Sequence, residues 1–361
     1  MKFMKLMKSF CILLVFPILV LCSCSQQSNV VFNEQVLSEA RMVEINSVLI
    51  KKDIDCIYPV KMSKIDSLFF IQDLVGNNIV NAFNRKGEYL DCMIKKGQGP
   101  NDVTNVTKEF VLNRLGKIIS VYSKPYLTEY DINKFMNGER EFCMRTDCSS
   151  FGANFPVMNA CRIDEGILLA GFTKDMRYAV IQSDSLSDLY KNYPSIINTA
   201  NSEELIPAVL SYSPCIGVDP TGKSWVQGTY IGGTLEGFNI SEGVVKSDFQ
   251  SFIYPSYYEA GAGINVSWGN ETIIGFEDIV ITSGYIYTLL NGTKGRNLKS
   301  TPPVTPFPNK ITVFDKQGNV VKIIKTDCMM MALDIDEDEN KCYVVTYNGE
   351  QGYDLREIPL L

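Results

Sequence analysis

The 361-residue chain has no histidine. That absence removes Ser-His-Asp and Cys-His catalysis, His-ligated zinc and His-shuttled proton transfer, because each needs an imidazole. Tryptophan is scarce, with only Trp225 and Trp268, and none of the 11 cysteines forms a Cys-x-x-Cys pair. No apolar pattern of helical period lasts longer than two turns. The longest apolar run, Phe10 to Leu21, is about a dozen residues and contains Pro17; it is too short to cross ~30 Å of hydrocarbon as a helix.

What that run does resemble is an export signal. Lys2, Lys5 and Lys8 precede it, and it ends in Leu21-Cys22-Ser23-Cys24. This ending resembles a bacterial lipobox, in which small residues admit the peptidase and the last cysteine accepts the lipid. Residues 1–23 are therefore expected to be a lipoprotein signal peptide and Cys24 the lipidated (palmitate-bearing) residue, with residues 24–39 as a polar tether. An ordinary signal peptide with incidental cysteines is the alternative. Ser25, in place of Asp, resembles outer-membrane sorting, and no acidic run follows Cys24. The expected location is the outer membrane, facing the periplasm, with the lipid as the membrane contact.

Without residues 1–23 the chain holds 31 basic and 41 acidic residues, a balance of −10. An acidic domain with no basic stripe argues against a nucleic-acid partner. Eight cysteines lie beyond Cys24. They fall mostly in apolar strand patterns, where a free thiol behaves as a small hydrophobe, although an exported setting permits disulfides.

Past residue 40, apolar runs of five to eight residues alternate with Gly, Asn, Asp and Pro turns, an all-β pattern. One unit recurs as Phe83-Asn-Arg-Lys-Gly87 and Phe314-Asp-Lys-Gln-Gly318: an aromatic ending a strand, then a polar turn with glycine. With Tyr130, Ile181, Phe238 and Tyr353 as further markers, the spacing runs from 39 to 76 residues. Four-stranded propeller blades take ~40–50 residues. The expected fold is an all-β, six-bladed β-propeller over residues 40–361. Its last unit shows three strands (332–335, 342–347 and 353–358), so an N-terminal strand at 42–45 is expected to close that last blade. A β-sandwich pair or another blade number are the alternatives.

Leu68-Phe-Phe-Ile-Gln-Asp73, the Phe83 and Phe314 units, Lys96-Gly-Gln-Gly-Pro-Asn-Asp102, Asp278-Ile-Val-Ile-Thr-Ser-Gly-Tyr-Ile-Tyr287 and Leu333-Asp-Ile-Asp336 carry a further likeness. In them the chain resembles the TolB-like six-bladed propeller lipoproteins, exported proteins mostly without assigned function. The resemblance covers residues 40–361, and it implies blade architecture rather than activity.

Candidate chemistry is sparse. Gly97-Gln-Gly-Pro100 lacks the following helix that a phosphate loop needs and reads as a blade-to-blade turn. Asp334-Ile-Asp-Glu-Asp-Glu-Asn340 starts like a calcium loop, but Glu339 stands where Gly is required, so it reads as an exposed hairpin turn, with weak calcium capture by Asp336 and Asp338 as the alternative. Trp225, Tyr230, Tyr257, Tyr258 and Trp268 form an aromatic set suited to sugar or peptide, or else to blade packing. Lys294, Arg296 and Lys299 open a basic, proline-rich insertion suited to an anion or partner. The expectation is a ligand-binding or scaffold module for a glycan, peptide or protein. It is not expected to be an enzyme or to need a cofactor or metal. The alternatives are an assembly partner of an outer-membrane complex and a calcium-dependent hydrolase or lactonase using carboxylates.

Overall fold

The structure, a computed structural model, describes residues 33–360 apart from 105, 107–109, 150–156, 172–175, 183–184, 192–213, 256–258, 261–265, 268–270, 296–306 and 350–351. Six sheets follow one another around a ring. Blade I holds β3 (Pro59–Ile65), β4 (Leu68–Asp73), β5 (Asn78–Asn84) and β6 (Tyr89–Lys95). Blade II holds β7 (Val111–Asn113), β8 (Ile118–Ser123), β9 (Tyr126–Asp131) and β10 (Met144–Asp147). Blade III holds β11 (Val157–Ile163), β12 (Gly166–Gly171), β13 (Met176–Gln182) and β14 (Ser185–Lys191). Blade IV holds β15 (Pro214–Val218), β16 (Ser224–Thr229), β17 (Thr234–Ser241) and β18 (Val244–Phe252). A hairpin of β19 (Glu259–Ala260) and β20 (Val266–Ser267) separates it from blade V, which holds β21 (Phe276–Ile281), β22 (Ile286–Leu290), β23 (Lys310–Phe314) and β24 (Val320–Thr326). Blade VI holds β25 (Met329–Asp336), β26 (Lys341–Tyr347) and β27 (Tyr353–Pro359).

Each blade is a meander whose first strand is innermost, and its two faces pack against different neighbours. Phe69, Ile71 and Met62 join a core with Tyr343 and Val345 of blade VI. Phe70 and Val80, pointing the other way, join Phe110, Ile119 and Val121 of blade II. Both faces of a blade are therefore dry, and its middle strands read as unbroken apolar runs instead of alternating ones. Removing each such Phe from water contributes ~1.5–3 kcal/mol.

The recurring turn has a clear cause. Asn84 Oδ1 accepts the N–H groups of Lys86 and Glu88 at 2.9 and 3.0 Å, and Asp315 Oδ1 accepts those of Gln317 and Asn319 at 2.9 and 2.8 Å. Gly87 and Gly318 close these turns at φ +74° and +79°, which side chains rarely adopt. The aromatics before them, Phe83 and Phe314, are fully buried. Five markers sit near the ends of third strands, but Tyr353 begins one. The residue equivalent to Phe83 in blade VI is Ile358, paired with Cys342 as Phe83 is paired with Phe69.

The N-terminus closes the last blade, but with a different segment from the one expected. β2 (Val48–Lys51) pairs antiparallel with β27 as the outer strand of blade VI. The expected segment lies one blade earlier: β1 (Arg41–Ile45) pairs in parallel with β24. The crossing between them is pinned at Ser47, whose N–H donates to Asp327 Oδ1 at 2.8 Å and whose hydroxyl accepts from Arg356 at 3.1 Å. Among the described residues, two helices of five residues are added, α1 (Gln35–Glu39) and α2 (Ile132–Met136), the second capped by the Asp131 carboxylate.

All eight cysteines beyond Cys24 are free, five of them buried and Cys143 exposed. Burial pushes the Cys92 and Cys148 thiols up to about 11 and Cys161 to about 12. They are packing residues, inert as thiolates.

Candidate functional site

Because each blade's inner strand runs the same way, its connections divide between two faces of the ring. On one face the first-to-second strand turns are short: 66–67, 114–117, 164–165, 219–223, 282–285 and 337–340. The other face carries the described ends of the connections between blades and between second and third strands, among them 253–255, 271–275 and 291–295.

The short-turn face and the ring centre are stitched by charge. Lys61 of blade I pairs with Asp278 of blade V, and its Nζ also donates to Ile279 O at 3.2 Å. The same Asp278 accepts Leu333 N–H of blade VI at 2.9 Å. Asp334 of blade VI repeats the device, accepting Lys64 N–H of blade I at 2.6 Å and pairing with Arg114 of blade II. Inner strands expose a backbone edge, and these side chains satisfy it. Lys64 continues to Asp336 and, at 3.2 Å, to Glu339, which also meets Arg85 at 3.1 Å and accepts the Tyr343 hydroxyl. That hydroxyl bond, with Lys64 and Arg85, holds Glu339 below the usual carboxylate range. Burial opposes the Asp336 charge, yet Lys64 and the Glu339 N–H outweigh it and its pKa is lowered too. Asp334 is 1% exposed, so the stretch from Asp334 to Asn340 begins in the core and is not wholly an exposed turn. Among the described residues, no three His, Cys, Asp or Glu side chains gather to hold a metal ion.

The Gly97 loop joins blades I and II as expected. Gly97 N–H donates to Val103 O and Gly99 N–H to Asp102 Oδ2, both at 3.0 Å, so a carboxylate stands where a phosphate would have to sit.

The long-connection face brings part of the expected binding set together. Three segments are woven at blades IV and V. Ile231 bridges Ile274, Ile273 bridges Lys294, and Gly275 N–H donates to Tyr230 O at 2.7 Å. Gly275 is required there, since a Cβ would stand 2.0 Å from Gly232 O. Tyr230 is half-buried in this weave, and Lys294, 43% exposed, reaches Glu271 at 3.4 Å. Trp225 is a correction. It is 1% exposed, stacked on Phe238 with centroids 5.6 Å apart in the core shared by blades III and IV, and presents no face to a ligand. Cys24, Tyr257, Tyr258, Trp268, Arg296 and Lys299 lie outside the described residues.

Two features escaped sequence reading. The glycines of the weave, Gly232, Gly233, Gly275 and Gly292, were legible only as turn residues. Arg177 and Glu236 form a buried bidentate pair at 2.7–2.8 Å between blades III and IV, with Gln250 donating to Glu236 at 2.9 Å. Nothing in the local pattern pairs residues so far apart in the chain.

The ring of six sheets has its counterpart in sequence: residues 39–338 match the family described as TolB-like 6-blade propeller-like. The chain belongs to that family. A search of curated proteins finds no match. Among solved structures, a DUF4221 family member from Bacteroides vulgatus is 10% identical with TM-score 0.52, over 87% of this chain and 98% of that one. Regucalcin, a calcium-binding protein from Agrobacterium tumefaciens, is 9% identical with TM-score 0.49, over 89% and 99%. A gluconolactonase from Xanthomonas campestris is 11% identical with TM-score 0.47, over 87% and 89%. These likenesses concern fold alone. The expectation that the chain is not an enzyme does not stand: proteins similar in fold include a gluconolactonase and a luciferin-regenerating enzyme.

Proposed function

We propose that this TolB-like propeller is a lipid-anchored, periplasm-facing module that binds a glycan, peptide or protein on its long-connection face at blades IV and V. The observation that carries this is the weave of 230–233, 272–275 and 291–295, a glycine-dependent platform on the long-connection face that holds Tyr230 and Lys294. Long connections on a rigid scaffold are where binding residues concentrate. The opposite face, in contrast, commits Lys64, Arg114, Asp336 and Glu339 to other blades.

Trp225→Phe leaves Trp268 as the sole tryptophan and hence the reporter. Titrating that variant with glycans and peptides should change Trp268 emission, and a true ligand at 100 times its Kd adds ~2.7 kcal/mol of stability. Tyr230→Ala and Lys294→Ala should weaken the response. A ligand whose affinity ignores both substitutions would move the site elsewhere on the ring. Separately, Cys24→Ser should abolish palmitate labelling; continued labelling would end the anchor reading.

A further inference from the structure

We propose that the long-connection face of the ring is seated on the lipid surface, with the top of blade I as the contact; this rests on the reading of Cys24 as the lipid anchor. Two independent observations point there.

The first is where the described chain starts. Asn33 N–H donates to Phe252 O at 2.9 Å, at the end of β18 that lies on the long-connection face. From there β1 and β2 bind the following residues to blades V and VI, so the exit point is fixed. Eight residues lie between Cys24 and Asn33, and the nine chain steps reach ~30 Å when fully extended. β18 has nine residues and, at ~3.4 Å per residue, is itself ~30 Å long. With the short-turn face down, the tether would be stretched taut merely to pass the blade. With the long-connection face down, it has slack.

The second is an apolar patch on that same face. Ile57, Tyr58, Leu74 and Val75 are 62, 38, 42 and 50% exposed. They are held as one group. The Asp73 carboxylate, itself 3% exposed, accepts the N–H groups of Ile57, Tyr58 and Val75 at 2.6, 2.9 and 3.1 Å, and Leu74 N–H donates to Tyr58 O at 3.0 Å. A buried carboxylate thus gathers the backbone and turns four large side chains outward. Lys95 and Lys96, exposed where β6 ends on this face, suit the phosphates of lipid headgroups. Toward the other face, Leu115, Val244 and Tyr285 belong to different blades, and Tyr89 and Leu90 of blade I stand side by side, a pair and not a group of four. A ligand of the blade IV–V platform would then be met at the lipid surface.

The test uses the full-length lipidated chain, reconstituted in phosphatidylcholine vesicles with and without brominated acyl chains. Leu74→Trp places a tryptophan in the patch, and Leu115→Trp places one on the opposite face at a residue that is 74% exposed. The expected result is a loss of emission with brominated lipid for Leu74→Trp, beyond that of the parent, and none beyond the parent for Leu115→Trp. Vesicle flotation with palmitate labelling, but no added quenching at Leu74→Trp, overturns the seat while leaving the anchor standing. Absence of labelling and flotation overturns the anchor itself. Emission of Leu74→Trp that depends on protein concentration in detergent, without lipid quenching, assigns the patch to a protein partner and overturns the proposal.

Discussion

The two faces of this ring are built on opposite terms. The short-turn face and ring centre join blades through buried or half-buried charges, with Asp278 and Asp334 each bridging three blades. On the long-connection face, blades IV and V are joined by backbone hydrogen bonds through glycines, the buried Arg177–Glu236 pair joins blades III and IV nearby, and Ile57, Leu74 and Lys294 face water. Charges in low dielectric cannot tolerate the loss of a partner, whereas exposed ones can. The short-turn face is thereby constrained by stability, whereas the exposed residues of the long-connection face are free to be shaped by a ligand.

The sharpest way to break that comparison is Asp278→Ala. It removes the carboxylate that both Lys61, whose side chain is 7% exposed, and the Leu333 N–H meet, and should cost ~3–5 kcal/mol in denaturant unfolding. Adding Lys61→Met should recover part of the loss; the Leu333 N–H would still lack its acceptor. Equal stability of the single variant and the parent would mean the central charges join nothing.

Next in size is ring closure. Deleting 48–51 should lower the melting temperature more than deleting 41–45, because β2 completes a blade whereas β1 adds a fifth strand to a complete one. The reverse order would make β1 the true clasp.

Acid should act on one face first. The Asp336 and Glu339 pKa values are depressed in the folded chain. Their contribution is therefore complete above the ordinary carboxylate range of ~4 and is lost as pH falls through the lower folded values. Lys64→Met should flatten this limb of the stability profile, and amide exchange should rise at 337–340 before it rises at 230–233. Simultaneous exchange at both would erase the distinction.

Trp225→Phe should change stability by only ~1 kcal/mol, since the lost packing is offset by removing an indole N–H that has no partner. Smallest of all, Lys294→Ala should stay within ~0.5 kcal/mol, as its pairing with Glu271 is exposed. A larger loss there would make the insertion structural.

Strand positions were legible because both faces of every blade are buried: Leu68–Asp73 and Phe276–Ile281 stand where the apolar runs place them. The turns at Asn84 and Asp315 were legible because their bonds are local. Partner choice was another matter. Met42 to Ile45 and Val48 to Lys51 are equally good strands, and nothing in either says which of β24 and β27 it will meet. Tyr353 looked like a marker because it is aromatic, yet the equivalent position holds Ile358. Trp225 looked suited to a ligand, but Phe238 covers it.

Periodicity, glycine placement and local side-chain-to-backbone bonds depend on neighbours within a few residues. From those alone the chain declares an all-β body of repeated four-stranded units. The pairing of Lys61 with Asp278, Arg114 with Asp334 and Arg177 with Glu236, the route of the N-terminal strands, and the weave in which Tyr230 meets Gly275 and Ile273 meets Lys294 join residues distant in the chain. Those depend on how the blades close around the ring, because closure decides which buried charge finds its counterpart.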